Sequence, residues 1–208
     1  MNSTFKTILH FFFLAGTLVC MQGCKNEDPV PENIPELITK VILEFAPAGG
    51  GPLITVTATD PDGGGVQDII VDGPINLLKD SEYTMTLELL NELYLPGDED
   101  YNVTEAIKNE GEEHQFFFSF SEGTFASPEG TGNILSDMSS VPGSINYLDK
   151  DSSGQPLGIQ TSWTTSGSVS NSKSFRIILK HQPELKSSTS TSLDGESDLD
   201  VSFILNVN

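Results

Sequence analysis

The sequence is poor in cysteine, in positive charge and in tryptophan, and each shortage narrows what the protein is. Its two cysteines, Cys20 and Cys24, both lie within the first 24 of 208 residues. The rest of the chain therefore has no disulfide framework and no thiol nucleophile. Ten Lys and Arg stand against 30 Asp and Glu, a formal net charge of −20. A surface of that sign repels nucleic acid and anionic headgroups and gathers cations, so no nucleic-acid partner is expected. Trp163 is the sole tryptophan, and it alternates with Ile159 and Thr161. That spacing reads as a core position rather than an exposed carbohydrate platform. No G-x-S-x-G elbow, H-E-x-x-H pair or P-loop occurs, so no motif with a mechanism points to an enzyme. The one long apolar run, 8–19, is too short and too near the N-terminus to persist as a membrane span.

That run, with Lys6 before it and Met21-Gln22-Gly23-Cys24 behind it, reads as a secretory signal with a lipoprotein-type cleavage site before Cys24. Similarity to the bacterial lipobox implies that the Cys24 sulfur takes a diacylglycerol and its amine a third acyl chain. Several chains together give a stable membrane anchor. Met21 and Gln22 depart from the usual box, whereas Gly23 and Cys24 match it. Cys20 is a rival acceptor, disfavoured by bulky Val19 before it, and a secreted protein with a free Cys24 is the alternative. Cleavage leaves 185 of the 208 residues and, with Lys6 gone, a formal charge of −21 in place of −20. Residues 24–36 contain Pro29, Pro31 and Pro35 and read as an extended tether. Lys25-Asn26-Glu27-Asp28 resembles the surface-export signal of Bacteroidota lipoproteins. It implies display on the outer face of the outer membrane, with the periplasmic face as the alternative.

From residue 37 to 208 the dominant signal is period-two alternation between Gly, Pro, Asp and Ser clusters, which means strands and turns. Val41, Leu43 and Phe45 share one strand face. Residues 53–58 follow a glycine-rich turn, and Tyr83, Met85, Leu87 and Leu89 line a longer strand. Phe116, Phe118 and Phe120 line another, with Phe117 on its other face. Further strands hold Ile159, Thr161 and Trp163; Phe175, Ile177 and Leu179; and Leu199, Val201, Phe203 and Leu205. Shorter candidates are 69–71, 75–78 and 145–148. Only 103–108 suggests a helix. The pattern predicts a single all-β domain, an antiparallel immunoglobulin-like β-sandwich with at most one short helix, though a barrel reads similarly. Segments 166–174 and 186–192 are expected to be exposed loops.

Three constellations are candidates for chemistry. Asp149, Asp151 and Ser153 alternate and are followed by Gly154, the first half of a calcium loop in which side-chain oxygens converge on the ion. Gln160 stands where an EF-hand has its bidentate Glu, so a shorter loop between strands is meant, and a plain β-turn suits the same residues. Asp60, Asp62 and Asp68 around the Gly63-Gly64-Gly65 loop form a weaker calcium candidate. His114 begins one strand and His181 ends another, each in phase with the apolar residues of its strand. If those strands are antiparallel neighbours the imidazoles meet, with Glu112, Glu113 or Glu184 close by. His114, His181 and Glu113 would then suit zinc or a similar ion with one position open. Two hydrogen-bonded rim histidines are the alternative.

The segments Glu112-Glu113-His114-Gln115-Phe116-Phe117-Phe118, Asp149-x-Asp151-x-Ser153-Gly154-Gln155-Pro156-Leu157-Gly158, Leu179-Lys180-His181-Gln182-Pro183 and Gly195-Glu196-Ser197-Asp198-Leu199-Asp200-Val201 resemble a family of small Bacteroidota outer-membrane lipoproteins. That family tends to carry Asn where Ser153 stands, and positions matching His114 and His181 hold histidine. The resemblance brings no settled activity with it. It implies a setting beside TonB-dependent outer-membrane receptors. The resulting expectation is a lipid-anchored, non-enzymatic binding protein of the cell envelope, accessory to an outer-membrane transporter. Its rivals are a surface module with calcium-stiffened loops and a transition-metal protein built on the two histidines. Because the thiol is the acyl acceptor, Cys24→Ala is expected to abolish labelled fatty-acid incorporation. Label still entering that variant through Cys20 would refute the assignment.

Overall fold

Strand-forming residues in strict alternation produce two facing sheets. The computed structural model describes residues 36–63, 68–135 and 144–208. Cys24 and most of the expected tether lie outside the described residues. Those residues belong to one unit, Ile34–Asn208. They form ten strands: β1 (Lys40–Pro47), β2 (Ile54–Thr59), β3 (Ile70–Val71), β4 (Ile75–Leu77), β5 (Glu82–Leu90), β6 (His114–Phe120), β7 (Phe125–Ser127), β8 (Gln160–Thr165), β9 (Ser170–His181) and β10 (Glu196–Val207). One α-helix, α1 (Val103–Asn109), follows a short 3-10 turn. One sheet has the order β3-β2-β1-β5-β8-β7 and the other β4-β10-β9-β6. The all-β sandwich is therefore as the alternation predicts.

The inward faces carry the expected residues. Val41, Leu43 and Phe45 of β1, Met85 and Leu89 of β5, and Phe175, Ile177 and Leu179 of β9 have no exposed surface. Around Trp163 the core is aromatic. Its ring meets Phe118 at 5.7 Å, Phe120 at 5.6 Å and Phe175 at 5.1 Å between centroids, at steep interplanar angles. Such edge-on pairs set positive ring edges against negative faces. Trp163 is fully buried because its indole N–H donates to Thr161 Oγ1, 2.7 Å away on the same strand. The polar group is satisfied inside the core, and the burial costs no orphaned donor.

Several expectations need correction. β4 pairs with β10 in parallel, so the sandwich is not wholly antiparallel. Residues 145–148 form no strand, only a bridge from Tyr147 to Thr161. β9 runs back through the serine-rich stretch to Ser170, because β10 offers its backbone there and pairing outweighs a turn-like composition. Phe117 is on the other face of its strand, as expected, and is buried there with Ile134 and Ile178 in a second, smaller cluster. Glu36, assigned to the tether, is half-buried.

The outer edge of β6 is covered by loops, not left open. Phe118 N donates to Asn133 Oδ1 (2.9 Å), Phe120 N to the Thr131 carbonyl (3.1 Å) and Phe116 N to the Leu157 carbonyl (2.8 Å). Tyr147 Oη donates to the Phe116 carbonyl at 2.6 Å and accepts from Asn133 Nδ2 at 2.8 Å. Burial pushes this phenol's pKa up to about 12. An open edge strand is a template for unwanted pairing, and these loops occupy its backbone groups. Trp163→Ala removes the ring at the centre of the aromatic cluster and is expected to destabilise the protein by about 3–5 kcal/mol, measured by urea unfolding.

Candidate functional site

His114 and His181 stand directly opposite one another in the β6–β9 register. Their rings stack at 4.5 Å between centroids, 4° from parallel. His114 has no exposed surface and His181 almost none. A different neighbour orients each imidazole. His114 Nδ1 lies 3.2 Å from the carbonyl oxygen of Glu110, the residue that ends α1. His181 Nε2 lies 3.3 Å from Glu113 Oε2. Of the three glutamates expected nearby, Glu113 is the one that reaches the pair.

The acidic residue beside His114 is one that strand parity alone misplaces. In β10 the register jumps from Ser197 opposite Lys180 to Leu199 opposite Leu179, leaving Asp198 unpaired in a β-bulge. Without the bulge Asp198 would share the outer face of Asp200 and Ser202. With it, the side chain turns inward and is 1% exposed, its Oδ2 3.5 Å from His114 Nε2. A bulge re-aims a side chain in this way. The nearby backbone is tight. Gly195 has φ +75°, and a Cβ there would sit 2.1 Å from the His181 carbonyl oxygen, so glycine lets the start of β10 pass close to the histidine. The sequence signal was present in Gly195-Glu196-Ser197-Asp198, but alternation pointed the aspartate to solvent.

Charge in this corner is densely coupled. Burial pushes the His114 imidazole down, but Asp198, the Glu110 carbonyl and Glu36 more than offset it, so its pKa is raised. The Glu36 carboxyl is raised by burial, with His114 pulling it back. Glu36, Glu110 and His114 form a second group of potential ligand atoms within 4.8 Å of one another, as do His114, His181 and Asp198.

The calcium candidates are arranged differently. Asp149 accepts from the Gly158 and Ile159 amides at 2.8 and 2.9 Å. Asp151 Oδ1 accepts from Gln155 N at 2.8 Å, and Oδ2 lies 2.7 Å from Lys186 Nζ. Ser153 Oγ donates to Glu112. The three side chains thus point to three separate partners, and Lys186 already supplies a cation. Asp60 Oδ1 accepts from Gly63 N at 3.0 Å, a local turn contact, and Asp68 is exposed beyond residues that lie outside the description.

Lys186, which no sequence pattern singles out, is the fastener of this end. Its ammonium also donates to the Gly111 and His114 carbonyls at 2.6 and 2.7 Å. It therefore ties the loop after β9 to the Asp149–Gly158 segment and to the start of β6. Desolvation lowers its pKa despite Asp151. Beside this corner, α1, β5 and residues 149–160 border a groove of about 550 Å³. Glu44, Glu88, Glu105, Lys108 and Lys150 line it beside Leu87, Leu157 and Ile159, a wall of mixed charge and mixed polarity. Among the described residues no helix is long and apolar enough to cross a membrane.

Comparison with protein-family models, with curated proteins and with solved structures yields no match to this chain.

The Lys186–Asp151 pair is 1% exposed on both sides. Removing one partner of such a pair strands a buried charge. Lys186→Met is therefore expected to cost about 3–5 kcal/mol, and the double variant with Asp151→Asn to recover much of that loss, both read from urea unfolding.

Proposed function

We propose that the protein is a lipid-anchored, non-enzymatic binding domain of the cell envelope that accompanies an outer-membrane transporter. The observation that carries the reading is the groove beside α1. Its volume of about 550 Å³ falls within the roughly 300–1,000 Å³ typical of binding sites. Carboxylates, hydroxyls, two amides and two lysines line it together with Leu87, Leu157 and Ile159, a mixed wall suited to an amphipathic ligand or to a partner's loop. The lipobox ending at Cys24 supports tethering, and the proline-bearing segment behind it supports holding the sandwich clear of the lipid. The acidic surface favours partners with exposed basic groups. Resemblance to small Bacteroidota lipoproteins supports a receptor of the TonB-dependent class as that partner, with surface display the favoured side of the membrane.

The test is affinity purification of the full-length protein, solubilised from membranes with mild detergent. A β-barrel receptor is expected to co-purify with the wild type. A groove variant carrying Glu88→Arg and Gln160→Arg is expected to lose it by about tenfold or more, equivalent to about 1.4 kcal/mol. Wild-type protein recovered in the soluble fraction, or a receptor retained equally by both, would sink the proposal.

A further inference from the structure

We propose that His114 Nε2, His181 Nδ1 and the Asp198 carboxylate together bind one divalent transition-metal ion of the zinc class. The inference goes beyond the binding reading above and does not depend on the groove.

Three observations carry it. First, each histidine has one nitrogen hydrogen-bonded and the other not, His114 Nε2 having the 3.5 Å approach of Asp198 Oδ2 and no hydrogen bond. His114 Nδ1 is turned to the Glu110 carbonyl and His181 Nε2 to the Glu113 carboxylate. His114 Nε2 and His181 Nδ1 are buried, and neither has a hydrogen-bond partner among the described residues. A metal-ligating imidazole has this habit: its second nitrogen gives its proton to a carbonyl or carboxylate, which fixes the ring and leaves a lone pair for the ion. Second, both oxygens of Asp198 are buried with no hydrogen-bond partner among the described residues. A buried carboxylate is costly, and the 3.5 Å approach of His114 Nε2 relieves that cost only if the imidazole carries a proton or an ion lies between them. Third, the potential ligand atoms of these three residues lie within 4.8 Å of one another.

The donor set names the ion class. Two nitrogens and one carboxylate suit zinc and its first-row neighbours, whereas calcium takes oxygens only. Glu113, assigned to the ligand set from sequence, acts here as a positioning residue on the far nitrogen of His181. The parallel rings must tilt toward each other for both lone pairs to meet one ion at about 2.0–2.1 Å. A proton on His114, paired with Asp198 at 3.5 Å, is the competing way to neutralise the carboxylate. It would leave His181 Nδ1 without a partner.

The experiment titrates Co(II), then Zn(II), into full-length protein in detergent after chelator treatment. Expected are one cobalt per chain with the visible absorption of a four- or five-coordinate site, its displacement by zinc, and a raised melting temperature. Asp198→Asn and His181→Gln should each weaken binding by about 100-fold or more, and Glu113→Gln by about 10-fold. Asp200→Asn, on the outer face of the same strand, should leave it unchanged. The near-ultraviolet circular dichroism of Trp163 reports that each variant is folded. A folded wild type that takes up no stoichiometric cobalt or zinc would overturn the proposal, and so would a folded Asp198→Asn that binds as tightly as the wild type. Loss of the receptor in the groove variant bears on neither outcome, so the two proposals fail separately.

Discussion

The antiparallel register of β6 on β9 is the constraint from which the rest of the molecule follows. It sets Phe116 beside Leu179, Phe118 beside Ile177 and Phe120 beside Phe175. These residues deliver the aromatic half of the core to Trp163. The same alignment, carried to its end, sets His114 beside His181. Because the side-chain period of a strand is two, a slip of one residue would turn the whole row of phenylalanines away from Trp163 to the face that Phe117 shares with Ile134. Core burial therefore enforces the histidine pairing. The candidate site needs no local energy of its own to bring the rings together.

The loops around that pair serve the sheet first. β6 is an edge strand, and the segments around Asn133, Tyr147 and Leu157 occupy its outward amides and carbonyls. Asp149 and Asp151 hold the last of these segments in shape through the Gly158, Ile159 and Gln155 amides. Alternating oxygens and a glycine are what a calcium loop requires, but they are also what a tight, amide-capped turn requires. Here Lys186 decides between the two. One buried ammonium serves Asp151 and two backbone carbonyls, and it does so from a loop more than thirty positions away in sequence.

The corner holding Asp198 is organised on the opposite principle. The buried carboxylate of Asp151 meets Gln155 N and Lys186 Nζ, as the expense of interior charge demands. At Asp198 a bulge drives a carboxylate inward toward two imidazoles whose other nitrogens are already engaged. Glu36, just before β1, lies in the same electrostatic field. Among the described residues, His114, His181, Gln182 and Asp198 thus bring buried polar atoms without hydrogen bonds to one end of the sandwich, and Ser170 Oγ is a further one at the other end of β9.

What the sequence determined by itself was everything that depends on local period and composition. Alternation in 41–45, 83–89, 116–120, 175–179 and 199–205 marked the strands and their inward faces. Thr161 and Trp163 in phase marked a buried tryptophan, and the phase of His114 and His181 marked both as inward-facing. Tertiary structure decided what depends on which chains lie side by side. The parallel β4–β10 pair, the extension of β9 to Ser170 and the covering of Phe117 by Ile134 all come from partners distant in sequence. Lys186 looked like one more charge in a serine-rich loop, because nothing local announces a partner at Asp151. Asp198 drew no role in the sequence for the same reason. A β-bulge is a mismatch between two strands, and a period counted along one strand cannot register it.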